Sequence, residues 1–103
     1  MITEIVKFSI PEGMSHEEVV AGFESTAGAW KENPDLIRKN YLVDVASRTA
    51  GGVYLWKSKV DAQKWHGDEF KARVNAKYGN EPRFEYFDTP VVVDNVADAI
   101  VKG

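Results

Sequence analysis

A ferredoxin-like α+β fold, βαββαβ with an antiparallel sheet, is predicted by three features of this 103-residue chain. Runs with a period of two recur near residues 2–10, 36–46, 51–56 and 83–88. Between the first and second runs, and again between the third and fourth, apolar residues fall at helical spacing. A turn-rich stretch, Ser47 to Gly52, joins the second and third runs as a hairpin. Helices that alternate with an antiparallel sheet in this order pack on one of its faces.

In the first strand Val6, Phe8 and Ile10 alternate with Ile5, Lys7 and Ser9, until Pro11 and Gly13 end the pattern. Ser15 with Glu18 three residues later forms a capping box, and Val19, Phe23, Ala27 and Trp30 carry a helix from Ser15 to Lys31. Asn33 and Pro34 stop it. The second strand, Leu36 to Ala46, places Ile37, Tyr41, Val43 and Val45 on one parity. The third sets Tyr54 and Trp56 on one face and Val53 and Leu55 on the other, so it is expected in the interior of the sheet. Ser58 or Asp61 caps a second helix, interrupted at Gly67 and Asp68, where a bend or restart is expected. Arg83 to Asp88 is the fourth strand. After Pro90 comes an extended valine run and then a short helix from Val96 to Val101.

The chain is expected to form a single domain, residues 1–103, with 90–103 as an extension that can cross to a partner. Its size suffices for a core without covalent staples, and 44 % hydrophobic with 28 % charged residues is ordinary for a globular protein. No cysteine is present, so neither disulfide nor thiolate metal site can form. The 13 basic and 16 acidic residues are scattered, which recommends no nucleic-acid partner. No window has the ~20 apolar residues of a membrane span, and the amino terminus lacks a signal-peptide core. A cytoplasmic protein with no membrane partner is the expectation.

Two helices shield one side of four strands, yet the strands carry large apolar side chains on both. An aromatic removes roughly 150–250 Å² from water when buried, so a bare face rich in such groups calls for a cover. A second copy supplies it: a homodimer with facing sheets, the dimeric α+β barrel.

The run Ala50-Gly51-Gly52-Val53-Tyr54-Leu55-Trp56 resembles the hairpin and strand of the YdhR-type monooxygenases. The resemblance extends to Pro34–Arg48 and to the valine-rich exit after Asp88, and so covers most of the chain. The wider group, the antibiotic-biosynthesis-monooxygenase-like barrels, is similar at Trp56-Lys57-Ser58, Trp65-His66 and Phe70-Lys71. It implies a homodimer with a pocket between each sheet and its helices, and cofactor-free oxygenation of an aromatic or quinol-like substrate. In its haem-degrading members an axial His and a polar Asn are needed. The corresponding positions here look like Val74 and Val6, which argues against haem.

His66 is the candidate base, since an imidazole with an ordinary pKa of about 6.5 can take a phenolic proton at neutral pH. The other reading makes it a solvated helix residue beside a buried Trp65. Trp65, Tyr54, Trp56, Tyr41, Phe8 and Tyr86 are the candidate substrate-binding residues, although aromatics in strands are more often plain core. His16, in the first turn of a helix, is the weaker histidine. Lys7 and Arg38 are expected at a sheet edge, against Asp44 or Glu85 across a dimer, or on an anionic substrate. No spacing suits a metal, and no cofactor is implied. A non-catalytic dimer that binds an apolar metabolite, and a cofactor-free isomerase or lyase, are the competing functions.

Overall fold

The computed structural model describes all residues from Met1 to Gly103. Strands β1 (Ile2–Ser9), β2 (Leu36–Asp44), β3 (Thr49–Trp56) and β4 (Arg83–Asp88) form one antiparallel sheet in the order β2-β3-β1-β4. Helices α1 (His16–Lys31), α2 (Lys59–Trp65) and α3 (Asp68–Tyr78) lie in the connections, and β5 (Val91–Asp94) pairs with β6 (Ala99–Lys102) as a separate hairpin. The ferredoxin-like fold is as expected, with β3 interior. No helix is long and apolar enough to cross a membrane.

Local chemistry accounts for the boundaries. Ser15 and Glu18 cap α1 reciprocally, each side chain 3.1 Å from the other's backbone nitrogen. Between α2 and α3 the chain leaves helical geometry at His66 and restarts through Gly67. Gly79, at a φ of 79°, ends α3 in the left-handed conformation that a glycine adopts without penalty. The following Asn80 amide then exchanges two hydrogen bonds with the backbone of Ser9, at 2.9 and 2.8 Å, and completes the end of β1.

Three local expectations are corrected. The β2–β3 turn occupies residues 45–48 and not Ser47 to Gly52. Asp44 accepts the Ala46 N–H at 3.2 Å, and Arg48, at a φ of 53°, closes the loop. Its guanidinium donates to the Pro11 and Met14 carbonyls, which ties the turn to the β1–α1 connection. The glycine pair therefore lies inside β3, where close approach and not turning requires it. A Cβ on Gly51 would stand 1.8 Å from the Val6 carbonyl oxygen of β1.

The helix expected over Val96–Val101 is instead the turn and second strand of the β5–β6 hairpin. Asp94 accepts the N–H groups of Val96 and Ala97 at 3.0 Å each, and Asp98 turns the chain at a φ of 54°. That is the device used at Asp44–Arg48, and a six-residue helix could not compete with it. Finally, a bulge between Leu36 and Arg38 removes Ile37 from the Tyr41 parity and leaves it 47 % exposed.

The register then fixes the faces. Val6, Phe8, Tyr54 and Trp56 point to the helices and, with Val19, Ala62, Phe70, Val74 and Tyr78, form the core. On the opposite face Ile5, Val53 and Leu55 are half-buried while Leu42 and Phe87 are exposed. Lys7 and Glu85 meet there at 3.9 Å within one chain, a solvated pair that contributes little. The hairpin borders this face: Val92, Val96 and Val101 share a shallow hollow with Ile37, Arg38 and Leu55.

Candidate functional site

Between the helix-facing side of the sheet and helices α1 and α3 lies a cavity of about 470 Å³. Val6 and Phe8 of β1 and Tyr54 of β3 form its floor, while Phe23 and Trp30 of α1 face Phe70, Val74 and Tyr78 of α3 across it. The walls are mainly rings. Phe23 stacks on Tyr41 with centroids 4.5 Å apart, and Phe8 meets Tyr78 at 4.4 Å. Polar groups are few: the Tyr41 hydroxyl shares a 2.8 Å hydrogen bond with Thr26. A pocket of this size with apolar walls and a few convergent polar groups suits a flat small molecule.

Of the residues expected to bind substrate, Phe8, Tyr41, Tyr54 and Trp65 line this cavity, whereas Trp56 and Tyr86 do not. His66 stands with the latter pair, behind the wall. Its ring lies 4.5 Å from Tyr54, 4.1 Å from Phe70 and 5.4 Å from Trp30, three residues that do line the cavity. The reading of His66 as solvated beside a buried Trp65 is reversed. The break after α2 turns His66 inward to 3 % exposure and Trp65 outward to 36 %, where its indole N–H donates to Asp35 at 2.9 Å.

What awaits His66 inside is Glu4, fully buried on β1 directly opposite both Tyr54 and Tyr86. Glu4 Oε1 lies 2.6 Å from His66 Nδ1 and accepts the Trp56 indole N–H at 2.9 Å. Glu4 Oε2 and His66 Nε2 are buried without a protein partner. Burial, and then the charge of Glu4, hold the Tyr86 phenol in its protonated form far above the usual tyrosine range. Tyr54 is pushed up for the same two reasons. If Nδ1–H is the donor to the carboxylate, Nε2 is left as the acceptor, the tautomer a general base requires.

Lys39 is the second group that sequence reasoning missed. It lies on β2 opposite Tyr54, and its ammonium sits 4.6 Å from the Trp30 ring centroid, 3.8 Å from Tyr41 and 4.5 Å from Tyr54. Burial lowers its pKa to about 7, partly opposed by the charge of Glu4. Both omissions had a legible signal. Glu4 shares the parity of Val6 and Phe8, and Lys39 that of Tyr41 and Val43, so each charge stands on a strand's apolar face.

The depressed lysine sets a sign for stability. Between about 7 and the ordinary 10.5 the unfolded chain holds the Lys39 proton and the folded chain releases it, so this contribution to stability grows as pH rises through that window. Below it the burial penalty is fully present. Urea unfolding of the wild type measured against Lys39→Met should show the wild type gaining on the variant from pH 6 to pH 9. Parallel curves would refute the assignment.

Val74 and Val6, the positions that the resemblance matches to an axial His and a polar Asn, are both buried and both in the cavity wall. Neither can ligate iron. No group of three or more His, Cys, Asp or Glu side chains is arranged to hold a metal.

The profile of the family described as "Putative mono-oxygenase ydhR" matches residues 5–97. No curated protein sequence matches. Among solved structures the chain is similar to NE2512, a protein of unknown function from Nitrosomonas europaea, with a TM-score of 0.68 and 13 % identity over 85 % of this chain and 87 % of that one. It is also similar to SnoaB of Streptomyces nogalater, a cofactor-independent oxygenase, with a TM-score of 0.61 and 14 % identity over 85 % and 91 % of the two chains. A third is the monooxygenase from the gene ActVA-Orf6 of Streptomyces coelicolor, in complex with Nanaomycin D. There the TM-score is 0.62 and the identity 12 %, over 85 % of this chain and 86 % of the other. At such identities the likeness concerns the fold.

Proposed function

This chain belongs to the ydhR mono-oxygenase family, and on that premise we propose that it oxygenates a flat phenolic compound in the cavity between sheet and helices without a cofactor. The observation that carries the reading is the cavity itself: about 470 Å³ and walled mainly by rings, with phenol hydroxyls and basic side chains among its polar groups. The description of SnoaB as a cofactor-independent oxygenase lends support from the same fold.

The chemistry needs no external reductant. A phenolate donates an electron to dioxygen, and the two radicals combine at the ring carbon para to the oxygen. Loss of water from the resulting hydroperoxide leaves a quinone. One oxygen atom enters the ring and the other leaves as water, and the substrate supplies all four electrons. The protein's share is to remove the phenolic proton and hold the ring in a dry site. His66 takes that proton at Nε2, oriented by the hydrogen bond from Nδ1 to Glu4, once the Tyr54 and Phe70 rings move aside.

A second copy completes the molecule in this reading. The face with Ile5, Val53, Leu55, Leu42 and Phe87 lies against its twin, and the β5–β6 hairpin reaches across. Sedimentation at micromolar concentration should then give a particle of twice 11.5 kDa. A monomer would exclude the facing-sheet dimer.

Oxygen uptake over a panel of naphthols, hydroquinones and anthrones tests the activity. Turnover should fall roughly 100-fold or more in His66→Asn, the usual worth of a general base. The burial of His66 behind the wall favours one competing reading, a binder of aromatic metabolites. In that case ligand raises the melting temperature, no oxygen is consumed and His66→Asn changes nothing beyond stability.

A further inference from the structure

The cavity is charged in one sense. Lys39, Arg73 and Lys77 line it and no carboxylate does. Arg73 already has a partner, Glu69, at 3.4 Å on the outer face of α3. Lys39 and Lys77 have none within ion-pair distance. Glu4 acts on Lys39 from behind the floor, but it does not line the cavity and its Oε1 is occupied by His66 and Trp56.

Lys39 is half-buried and placed by the fold, while Lys77 is exposed. Lys39 crosses the rings of Trp30, Tyr41 and Tyr54, and Gly52 beside it makes room: a Cβ there would come within 3.2 Å of Lys39 Cε. Lys77 lies against α1 at Gly22, where a Cβ would be 2.6 Å from its Nζ. The ring faces offset part of the desolvation of Lys39. A hydrogen-bonded anion would offset the rest, since a charge taken from water is costly until it is paired.

We propose that the natural ligand is an aromatic acid, whose ring system lies against the cavity rings with its carboxylate on the Lys39 ammonium and Lys77 guarding the mouth. This rests on the reading of the cavity as an aromatic-substrate site and narrows it to one class. Neutral quinols and unsubstituted hydrocarbons are then poor ligands. The acid group also fixes which ring carbon faces the interior, so Lys39 is a specificity-determining residue.

Binding separates this inference from the oxygenase reading, because it is measured without turnover. The probes are 1-hydroxy-2-naphthoate and its methyl ester, which differ in the charge of one group, titrated calorimetrically at pH 6.5 into the full chain. The acid should bind at least tenfold more tightly than the ester. Lys39→Met should remove that preference while ester binding stays within twofold. Equal binding of acid and ester to the wild type overturns the inference and leaves the aromatic cavity standing, as does a preference that survives Lys39→Met. Binding of neither probe overturns both.

Discussion

Gly51→Ala should cost more than about 4 kcal/mol, a large share of a total stability on the order of 5–15 kcal/mol. The added Cβ would lie 1.8 Å from the Val6 carbonyl oxygen, 2.8 Å from the Val6 carbonyl carbon and 3.1 Å from Lys7 Cα. These are backbone atoms of β1, so no rotamer change relieves the collision. Relief requires β1 and β3 to separate, and they are the two interior strands, paired from Ile2 with Trp56 to Ser9 with Thr49. That ladder also sets Glu4 opposite Tyr54 and forms the cavity floor. Gly28 offers the contrast. A Cβ there meets nothing within 4 Å, and in the interior of α1 alanine should stabilise by up to about 1 kcal/mol. Circular dichroism and urea melts of the two variants should therefore move in opposite directions. A Gly51→Ala protein that melts within about 1 kcal/mol of the wild type would refute the packing of β3 on β1.

The fold was legible because its signals were local and redundant. Val6, Phe8 and Ile10 keep strict alternation, Ser15 and Glu18 mark a helix start, and Gly67 marks the break before α3. What stayed hidden depends on register. Ile37 reads as a partner of Tyr41 until a bulge shifts it, and the Gly51-Gly52 pair reads as a turn until the clash with Val6 places it within the strand. The site divides along the same line. Phe8, Tyr41, Tyr54 and Trp65 could be named because rings can wall a flat pocket, but parity alone did not separate them from Trp56 and Tyr86, which lie outside the cavity. Glu4 and Lys39 were visible as residues but not as neighbours of His66 and Tyr54, since the pairings that join them span fifty residues of chain on one side and fifteen on the other.

The two missed charges act on different parts of one site. Lys39 lies in the cavity and meets whatever enters. Glu4 lies behind it and meets only the protein. Their separation by the Tyr54 ring explains how a carboxylate and an ammonium coexist near one another without an ion pair, and why the cavity presents positive charge alone.

Glu4→Ala should cost about 3–5 kcal/mol, the usual result of removing one member of a buried charged or strongly hydrogen-bonded pair. The loss exceeds that of a methylene truncation because two donors are stranded at once, the Trp56 indole N–H and the His66 Nδ1–H, in a region sealed from water. Glu4→Gln keeps a carbonyl for one of them and should cost roughly half as much. In a double-mutant cycle, Glu4→Ala and His66→Phe should couple by about 1–3 kcal/mol, since each removes the other's partner. Urea unfolding at constant pH measures all four corners. A loss under about 1 kcal/mol for Glu4→Ala would mean that the carboxylate is hydrated and the dyad is not the sealed unit described. The wild-type arrangement is itself expensive, because Glu4 Oε2 and His66 Nε2 are buried without partners. Were stability the only demand, an apolar pair would serve better here. An imidazole hydrogen-bonded at Nδ1, with Nε2 free behind the ring wall of an aromatic cavity, is the arrangement that proton abstraction would use. The double variant Glu4→Leu with His66→Phe should accordingly hold or raise the melting temperature while it removes oxygen uptake, whereas His66→Phe alone strands the buried Glu4 carboxylate and should destabilise; a double variant that kept oxygen uptake would reduce the dyad to scaffolding.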